Sequence, residues 1–184
     1  NKAAIAVAPL EVNMFGNYQV AVKNSDISNF GTVVFGYKRS MADTVAFIGS
    51  TISNCENGIV LAAEDDARGD YNCEVVIIKD SEFNNVKSNV LNFYRGGYDE
   101  STIGGILSIS GSKFTNSGSK DKSKVLLQTT GIVNLNISDN VFENNKVKYI
   151  AVLWGEKNDE PVNNSIKNSG VIHTELYLKQ KLMY

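Results

Sequence analysis

The stretch DSEFNNV, residues 80–86, indicates a repeat architecture, because the chain contains the same seven-residue pattern six times. The other copies are NSDISNF (24–30), GSTISNC (49–55), GSKFTNS (111–117), DNVFENN (139–145) and NNSIKNS (163–169). In each copy the fourth residue is large and apolar, and we call it the anchor. Asparagine follows the anchor by two positions, and a small polar residue precedes it by two. Self-similarity at a nearly constant interval is the signature of a repeat architecture.

The flanks of the repeat alternate with a period of two, which is typical of a half-buried β-strand. Apolar residues stand seven and five positions before each of the first five anchors, and a second β-rich run such as TVVFG or GIVLA follows each anchor. The anchors are Ile27, Ile52, Phe83, Phe114, Phe142 and Ile166, and the asparagines are Asn29, Asn54, Asn85, Asn116, Asn144 and Asn168. Helices are disfavoured, because β-branched residues, Asn, Ser and Gly are weak helix formers.

A short unit of two or three strands cannot bury its apolar side alone, but stacked units can. We therefore predict an all-β fold, a parallel β-helix of about six rungs that forms a single domain over residues 1–184. The anchors would form an inward stack, and the asparagines a structural ladder at a bend, where Asn tolerates left-handed backbone. The alternative is a twisted antiparallel sandwich, whose hairpin turns would call for Asn-Gly signals that are sparse here.

The composition of the chain argues against two classes of partner. The 184 residues are 42% hydrophobic and 21% charged, with a formal net charge of −2. Because no basic run and no apolar run of about 20 residues occurs, we expect no nucleic-acid partner and no membrane partner. The only histidine, His173, is far in sequence from Cys55 and Cys73, so the two cysteines do not form a metal-ligand pattern. We expect two reduced, mostly buried thiols.

Five insertions interrupt the repeat and are the places where chemistry is expected. They are YKRSMADT (37–44), AEDDARGDYN (63–72), YRGGYDEST (94–102), SGSKDKSK (117–124) and GEKNDEPVNN (155–164). They share one phase of successive rungs, so we expect several to project from one side. The acidic residues in them do not establish the convergence that a calcium site needs, and we predict no metal site and no catalytic residue in this chain.

The insertion at 94–102 is the richest candidate for a carbohydrate-binding or interdomain site. Tyr94 and Tyr98 offer flat faces and hydroxyls to a sugar ring, and Arg95 is suited to two-point pairing with a carboxylate. The competing interpretation is internal: Arg95 pins its own loop by pairing with Asp99 or Glu100. Trp154 is a further candidate for stacking on a sugar, with packing under a neighbouring loop as the alternative.

The two ends of the chain differ. Residues 173–184 contain several large apolar side chains, and we predict that they cap the last rung, since an open rung exposes unpaired backbone. Residues 1–12 read as another partial rung, so we expect the natural polypeptide to continue upstream of Asn1.

From about residue 17 onward the chain resembles the C-terminal part of family 6 polysaccharide lyases, the alginate lyases related to chondroitinase B. The resemblance lies in GDYNCEVVIIKDSEFNNVKSNVLNFYRGGYDESTIGG (69–105), LLQTTGIVNLNISDNVFENN (126–145), VLWGEKN (152–158) and LKQKLMY (178–184), and YRGGYDEST is its most specific segment. The resemblance implies a right-handed coil and a secreted or periplasmic bacterial protein.

Members of that family cleave uronate polysaccharides by β-elimination, with a lysine base, an assisting arginine and calcium. The Arg-His-Gly type segment of their catalytic site does not occur here, since the only histidine is His173. The resemblance therefore implies a non-catalytic C-terminal domain without a cofactor of its own. Its expected partners are an anionic polysaccharide such as alginate and its own N-terminal catalytic domain, which would carry the calcium, together with a possible homodimer mate. The alternative is a free-standing carbohydrate-binding module.

Overall fold

The protein is all-β over the residues that the computed structural model describes, which are 2–7, 19–38, 40–62, 72–94, 105–119, 125–130, 133–155 and 161–176. Within these ranges no residue is helical. Every strand pairing is parallel, which confirms the predicted parallel β-helix over the antiparallel sandwich.

The strands form three sheets, which we call A, B and C, and each rung passes through sheet B, then sheet C, then sheet A. Sheet B contains β2 (Gln19–Lys23), β5 (Ala42–Ile48), β8 (Cys73–Lys79), β11 (Gly105–Ser110) and β14 (Val133–Ser138). Sheet C contains β3 (Asp26–Ser28), β6 (Thr51–Ser53), β9 (Glu82–Asn84), β12 (Lys113–Thr115), β15 (Val141–Glu143) and β17 (Ser165–Lys167). Sheet A contains β1 (Ala3–Val7), β4 (Thr32–Gly36), β7 (Asn57–Leu61), β10 (Leu91–Tyr94), β13 (Val125–Thr130), β16 (Tyr149–Gly155) and β18 (Val171–Leu176).

In the described part of the chain, each strand pairs with the equivalent strand of the rung before or after it, which makes the molecule a β-solenoid. After β2 the chain returns to sheet B four times, so the described strands make about four turns. The right-handedness of the coil and the count of six rungs stay predictions.

The anchors lie in register, one in each strand of sheet C. Ile52, Phe83, Phe114 and Phe142 are fully buried, and the ring of Phe114 stacks on those of its two neighbours at centroid distances of 5.5 and 5.0 Å. Ile27 is half-buried, whereas Ile166 is 45% exposed, because it stands in the last strand of the sheet. The inward stack is thus confirmed for the middle of the solenoid and opens at its end.

The paired apolar residues of sheet B complete the core as predicted. Val45 with Phe47, Val76 with Ile78, and Leu107 with Ile109 are all fully buried. Both cysteines are buried free thiols, which confirms the prediction made for them.

Two bends with left-handed backbone bracket each strand of sheet C. The first, three residues before the anchor, has φ between 47° and 59° at Asn24, Gly49, Asp80, Gly111, Asp139 and Asn163. The second, two residues after the anchor, consists of the six predicted ladder asparagines, with φ between 47° and 64°. Asn, Asp and Gly are the residues that adopt this conformation at least cost, so the bends explain the repeat's composition.

The asparagine side chains bond less regularly than their backbones. Asn85 donates to Asn54 Oδ1 at 2.8 Å and Asn168 to Asn144 Oδ1 at 3.3 Å, but Asn116 reaches Asn84 instead. Most of these side chains are exposed, so water competes for their amides. The backbone conformation, more than an unbroken amide ladder, accounts for asparagine at this position.

A polar ladder, buried from Ser50 to Asn140 and more open at its two ends, runs along the small polar residues two positions before the anchors. Each backbone N–H donates to the side-chain oxygen of the next rung, over 2.9 to 3.2 Å, through Ser25, Ser50, Ser81, Ser112, Asn140 and Asn164. A second ladder, three residues after the anchors, joins Val86, Ser117, Asn145 and Ser169 in the same way. The ladders satisfy backbone donors at corners where strand pairing stops.

Candidate functional site

The insertions emerge mainly from one corner of the solenoid. Those at 37–44, 63–72, 94–102 and 155–164 begin at the carboxyl ends of sheet A strands, and the first three lead into sheet B. The prediction of a shared phase is wrong for 117–124, which lies at the other end of sheet A, between β12 and β13. Its first residue, Ser117, is a buried member of the second polar ladder, so the seven-residue repeat at 111–117 and the insertion overlap at this residue.

The first insertion is a short turn with an internal structural role. Asn72 is fully buried, and its amide nitrogen donates to the carbonyls of Tyr37 at 2.9 Å and Ser40 at 2.8 Å. The hydroxyl of Ser40 also donates to the Tyr37 carbonyl, at 2.5 Å. Asn72 therefore fixes the turn that presents Tyr37, whose side chain is 50% exposed.

Three aromatic residues share one column at this edge of sheet A. Phe35, Val60 and Asn92 are register partners in β4, β7 and β10, and two residues further along lie Tyr37 and Tyr94. Tyr94 pairs with Thr130 on the next rung. Gln128 pairs with Val152, and when this register is continued by two residues, Trp154 stands beside Thr130 in the same column. Tyr37, Tyr94 and Trp154 thus stand on every second rung, and we call them the aromatic column. At the usual strand spacing its members are about 10 Å apart.

Beside the aromatic column, the outer face of sheet A carries a second row of side chains. It consists of Phe35, Val60, Asn92, Gln128, Val152 and His173, of which the first five are half-buried and His173 is exposed. Asn92 and Gln128 place two primary amides on neighbouring strands, and an amide both donates and accepts hydrogen bonds. Rings and amides side by side can hold a flat polyhydroxylated ligand through stacking and hydrogen bonds.

The far end of this face carries a small cationic and aromatic cluster. The rings of Tyr149 and His173 lie 5.9 Å apart, and Lys148 Nζ lies 4.9 Å from the centre of the Tyr149 ring. An ammonium over a ring face at this distance is a cation–π contact. The ring of Tyr149 therefore has His173 and the ammonium of Lys148 as neighbours.

Of the residues predicted from the sequence, the described structure brings Tyr94 and Trp154 onto one sheet, two strands apart. Tyr94 is half-buried at the end of β10. Arg95, Tyr98, Asp99 and Glu100 lie outside the described residues, so the pairing of Arg95 stays a prediction.

Other predicted features also fall partly outside the described ranges. The acidic run at 64–70 and the acids at 156–160 lie outside them, as do residues 177–184 of the predicted cap, whereas His173–Leu176 belong to β18. Among the residues that are described, no three His, Cys, Asp or Glu side chains come together in a way that would hold a metal ion. The same residues contain no helix of the length and apolarity needed to span a bilayer.

Tyr37 is the residue that the sequence interpretation missed. It belongs to a recognised insertion, but its significance depends on the phase that it shares with Tyr94 and Trp154. The signal was present in the anchors: Tyr37 follows Ile27 by 10 residues, Tyr94 follows Phe83 by 11, and Trp154 follows Phe142 by 12. These unequal offsets are absorbed in the corner between sheets C and A, so the common phase emerges only with the strand register.

Comparison with known proteins adds no family assignment: no protein-family model matches this chain, and no curated protein matches it either.

Proposed function

We propose that this chain is the non-catalytic C-terminal β-helix domain of a polysaccharide lyase of the alginate lyase type, and that it holds polysaccharide on the outer face of sheet A. The observation that carries the binding role is the aromatic column, with Tyr37, Tyr94 and Trp154 on alternate rungs. The lyase assignment rests on the sequence resemblance, and the parallel β-solenoid fold is compatible with it.

The chemistry of the face supports a carbohydrate. The C–H groups of a pyranose ring pack against an aromatic face, and the hydroxyls bond to amides such as those of Asn92 and Gln128. The rungs that carry Tyr37 and Tyr94 are about 10 Å apart along the solenoid axis, which is close to the length of two sugar units, and the register places Trp154 two rungs further along. An extended polysaccharide parallel to that axis then matches the protein's own repeat.

In this proposal the β-elimination chemistry belongs to an upstream domain. The lysine base, the arginine and the calcium of such enzymes would lie there, and the present chain supports that domain, helps to hold the substrate or contributes to subunit contacts. Its site in the cell would be outside the cytoplasm, secreted or periplasmic, where such polymers occur.

Retention on an alginate affinity gel tests the binding role. We expect wild-type protein to be retained on alginate or dermatan sulfate, and Tyr37→Ala and Tyr94→Ala each to weaken retention about three- to ten-fold, because one stacked ring is lost. The control is Ile106→Ala, which removes a 41% exposed apolar side chain from sheet B. A wild type that passes through both gels, or tyrosine variants retained like wild type, would count against the proposal.

An absorbance assay for the unsaturated uronate product tests the non-catalytic assignment. We expect no product from these 184 residues, with or without a chelator. Chelator-sensitive turnover by this chain would show that it contains a catalytic site and would reject the assignment.

The second candidate function is a free-standing carbohydrate-binding module, favoured by the fact that the aromatic column lies entirely within this chain. The coding sequence upstream of Asn1 discriminates the two. A lysine, an arginine and calcium ligands on neighbouring rungs there support the lyase, whereas a coding sequence that starts at Asn1 supports the module.

A further inference from the structure

Two exposed lysines occupy one column at the corner where the chain passes from sheet C to sheet A. This column lies four residues after the anchors and contains Glu56, Lys87, Gly118 and Lys146. Its register is defined by backbone bonds: Lys87 N donates to Cys55 O at 2.9 Å, Gly118 N to Val86 O at 2.8 Å, and Lys146 N to Ser117 O at 2.7 Å. The two lysines are therefore two rungs apart, about 10 Å at the usual strand spacing.

The rung between the two lysines is kept free of a side chain. Gly118 has φ of 74°, and a Cβ atom there would lie 2.2 Å from Val147 Cγ1. Any other residue would meet both backbone strain and a steric clash. Gly118 itself is buried, and the side chain of Val147 fills the space beside it, so no charged side chain of this column stands between the two lysines.

The lysines are available to an external anion. Both are exposed, and neither takes part in an ion pair among the described residues, whereas Lys167 pairs with Glu143 at 3.3 Å. Glu56, on the rung next to Lys87, is half-buried, with its Oε1 atom buried. Lys148, two residues after Lys146, adds a third exposed cation.

The spacing of the lysines matches that of the aromatic column on the opposite edge of the same sheet. Lys87 precedes β10, which ends at Tyr94, and Lys146 precedes β16, which contains Trp154. The rungs without these groups carry Gly118 and Thr130 instead. Cations border the outer face of sheet A on one edge and aromatic residues border it on the other, both on alternate rungs.

We propose that Lys87 and Lys146 bind carboxylates of an acidic polysaccharide that lies along the solenoid axis, one carboxylate at every second rung. This inference rests on the proposed function, since it assumes that a polysaccharide occupies the face of sheet A. An ammonium is a compact point charge on a flexible stem, and it accepts carboxylates in many orientations. The lysine column selects uronate-containing polymers over neutral ones, while the aromatic column contributes affinity that does not depend on charge.

The experiment compares two double variants with equal charge change on two polymers. Lys87→Gln/Lys146→Gln removes the lysine column, and Lys79→Gln/Lys113→Gln removes two exposed lysines from sheets B and C. Affinity is measured by titration with alginate oligomers and with the same oligomers esterified at their carboxyls, at low and at high salt. Thermal melting of all proteins checks that the exposed substitutions leave the fold intact.

We expect the first double variant to bind alginate several-fold more weakly at low salt, up to about 25-fold, since each of the two exposed pairs contributes up to about five-fold. We also expect unchanged binding to the ester and a flatter salt dependence, because fewer screened pairs remain. Equal loss in both double variants would mean general charge attraction, and no loss in either would mean that the lysines do not contact the polymer; either result overturns the inference while leaving polysaccharide binding intact. Wild-type protein that binds neither polymer overturns both the inference and the proposed binding role.

Discussion

Replacing Phe114 by alanine probes the anchor column at its centre. Phe114 is fully buried, and its ring lies within 14° of parallel to that of Phe83 and within 11° of parallel to that of Phe142. A buried Phe→Ala change costs about 3 to 5 kcal/mol, and each aromatic pair contributes about 0.5 to 1.5 kcal/mol beyond its buried area. Because two stacked pairs are lost and parallel strands hold the cavity open on both sides, we expect a loss near the upper end, about 4 to 5 kcal/mol.

Urea unfolding, followed by circular dichroism and by intrinsic fluorescence, measures this change. With a slope of about 2 kcal/mol per M, the midpoint should fall by roughly 2 M. The matched control is Ile166→Ala in the same column, which should cost about 1 kcal/mol or less, because that side chain is already 45% exposed. A loss below about 1 kcal/mol at Phe114, or equal losses at both positions, would refute the inward stack.

Two further predictions concern the corners of the rungs. Ser112→Ala removes the oxygen that accepts the Ser81 N–H at 3.1 Å, and an unpaired buried donor should lower the free energy of unfolding by about 1 to 3 kcal/mol, against less than about 0.5 kcal/mol for the exposed control Ser165→Ala. At Asn85, with φ of 56°, urea unfolding should show alanine to be about 1 to 2 kcal/mol worse than wild type, and glycine should be tolerated better. Alanine as stable as glycine there would mean that left-handed backbone does not select the asparagine.

The sequence was sufficient to predict the solenoid because every rung repeats the same physical requirement. One large apolar side chain must fill the centre, two must alternate before it, and a residue tolerant of positive φ must follow. These demands are local, so Phe83 and Phe114 could be aligned before their strands were seen in register. Parallel pairing then follows from stacking identical units.

The corners were harder to predict, because different residues meet the same need there. The bend before the anchor accepts Asn, Gly or Asp, and the second polar ladder begins at Val86, which contributes only its backbone, before it continues through Ser117. No single letter marks either feature. Prediction of the candidate site was limited in the same way, because the rungs of Tyr37 and Tyr94 have different numbers of residues between the anchor and the tyrosine.

The buried polar ladder has a direction, and that direction makes the rungs interchangeable parts. Each backbone N–H donates to a side-chain oxygen of the rung that follows, and a serine hydroxyl or an asparagine amide supplies that oxygen at nearly the same place: Ser81 receives it from Ser112, and Ser112 from Asn140. If one whole unit were removed, the backbone N–H of the rung before it would still meet a serine or asparagine side-chain oxygen, supplied by the rung after it. A protein built this way can lengthen or shorten its solenoid by duplication or excision of units, while every rung keeps the same kind of core.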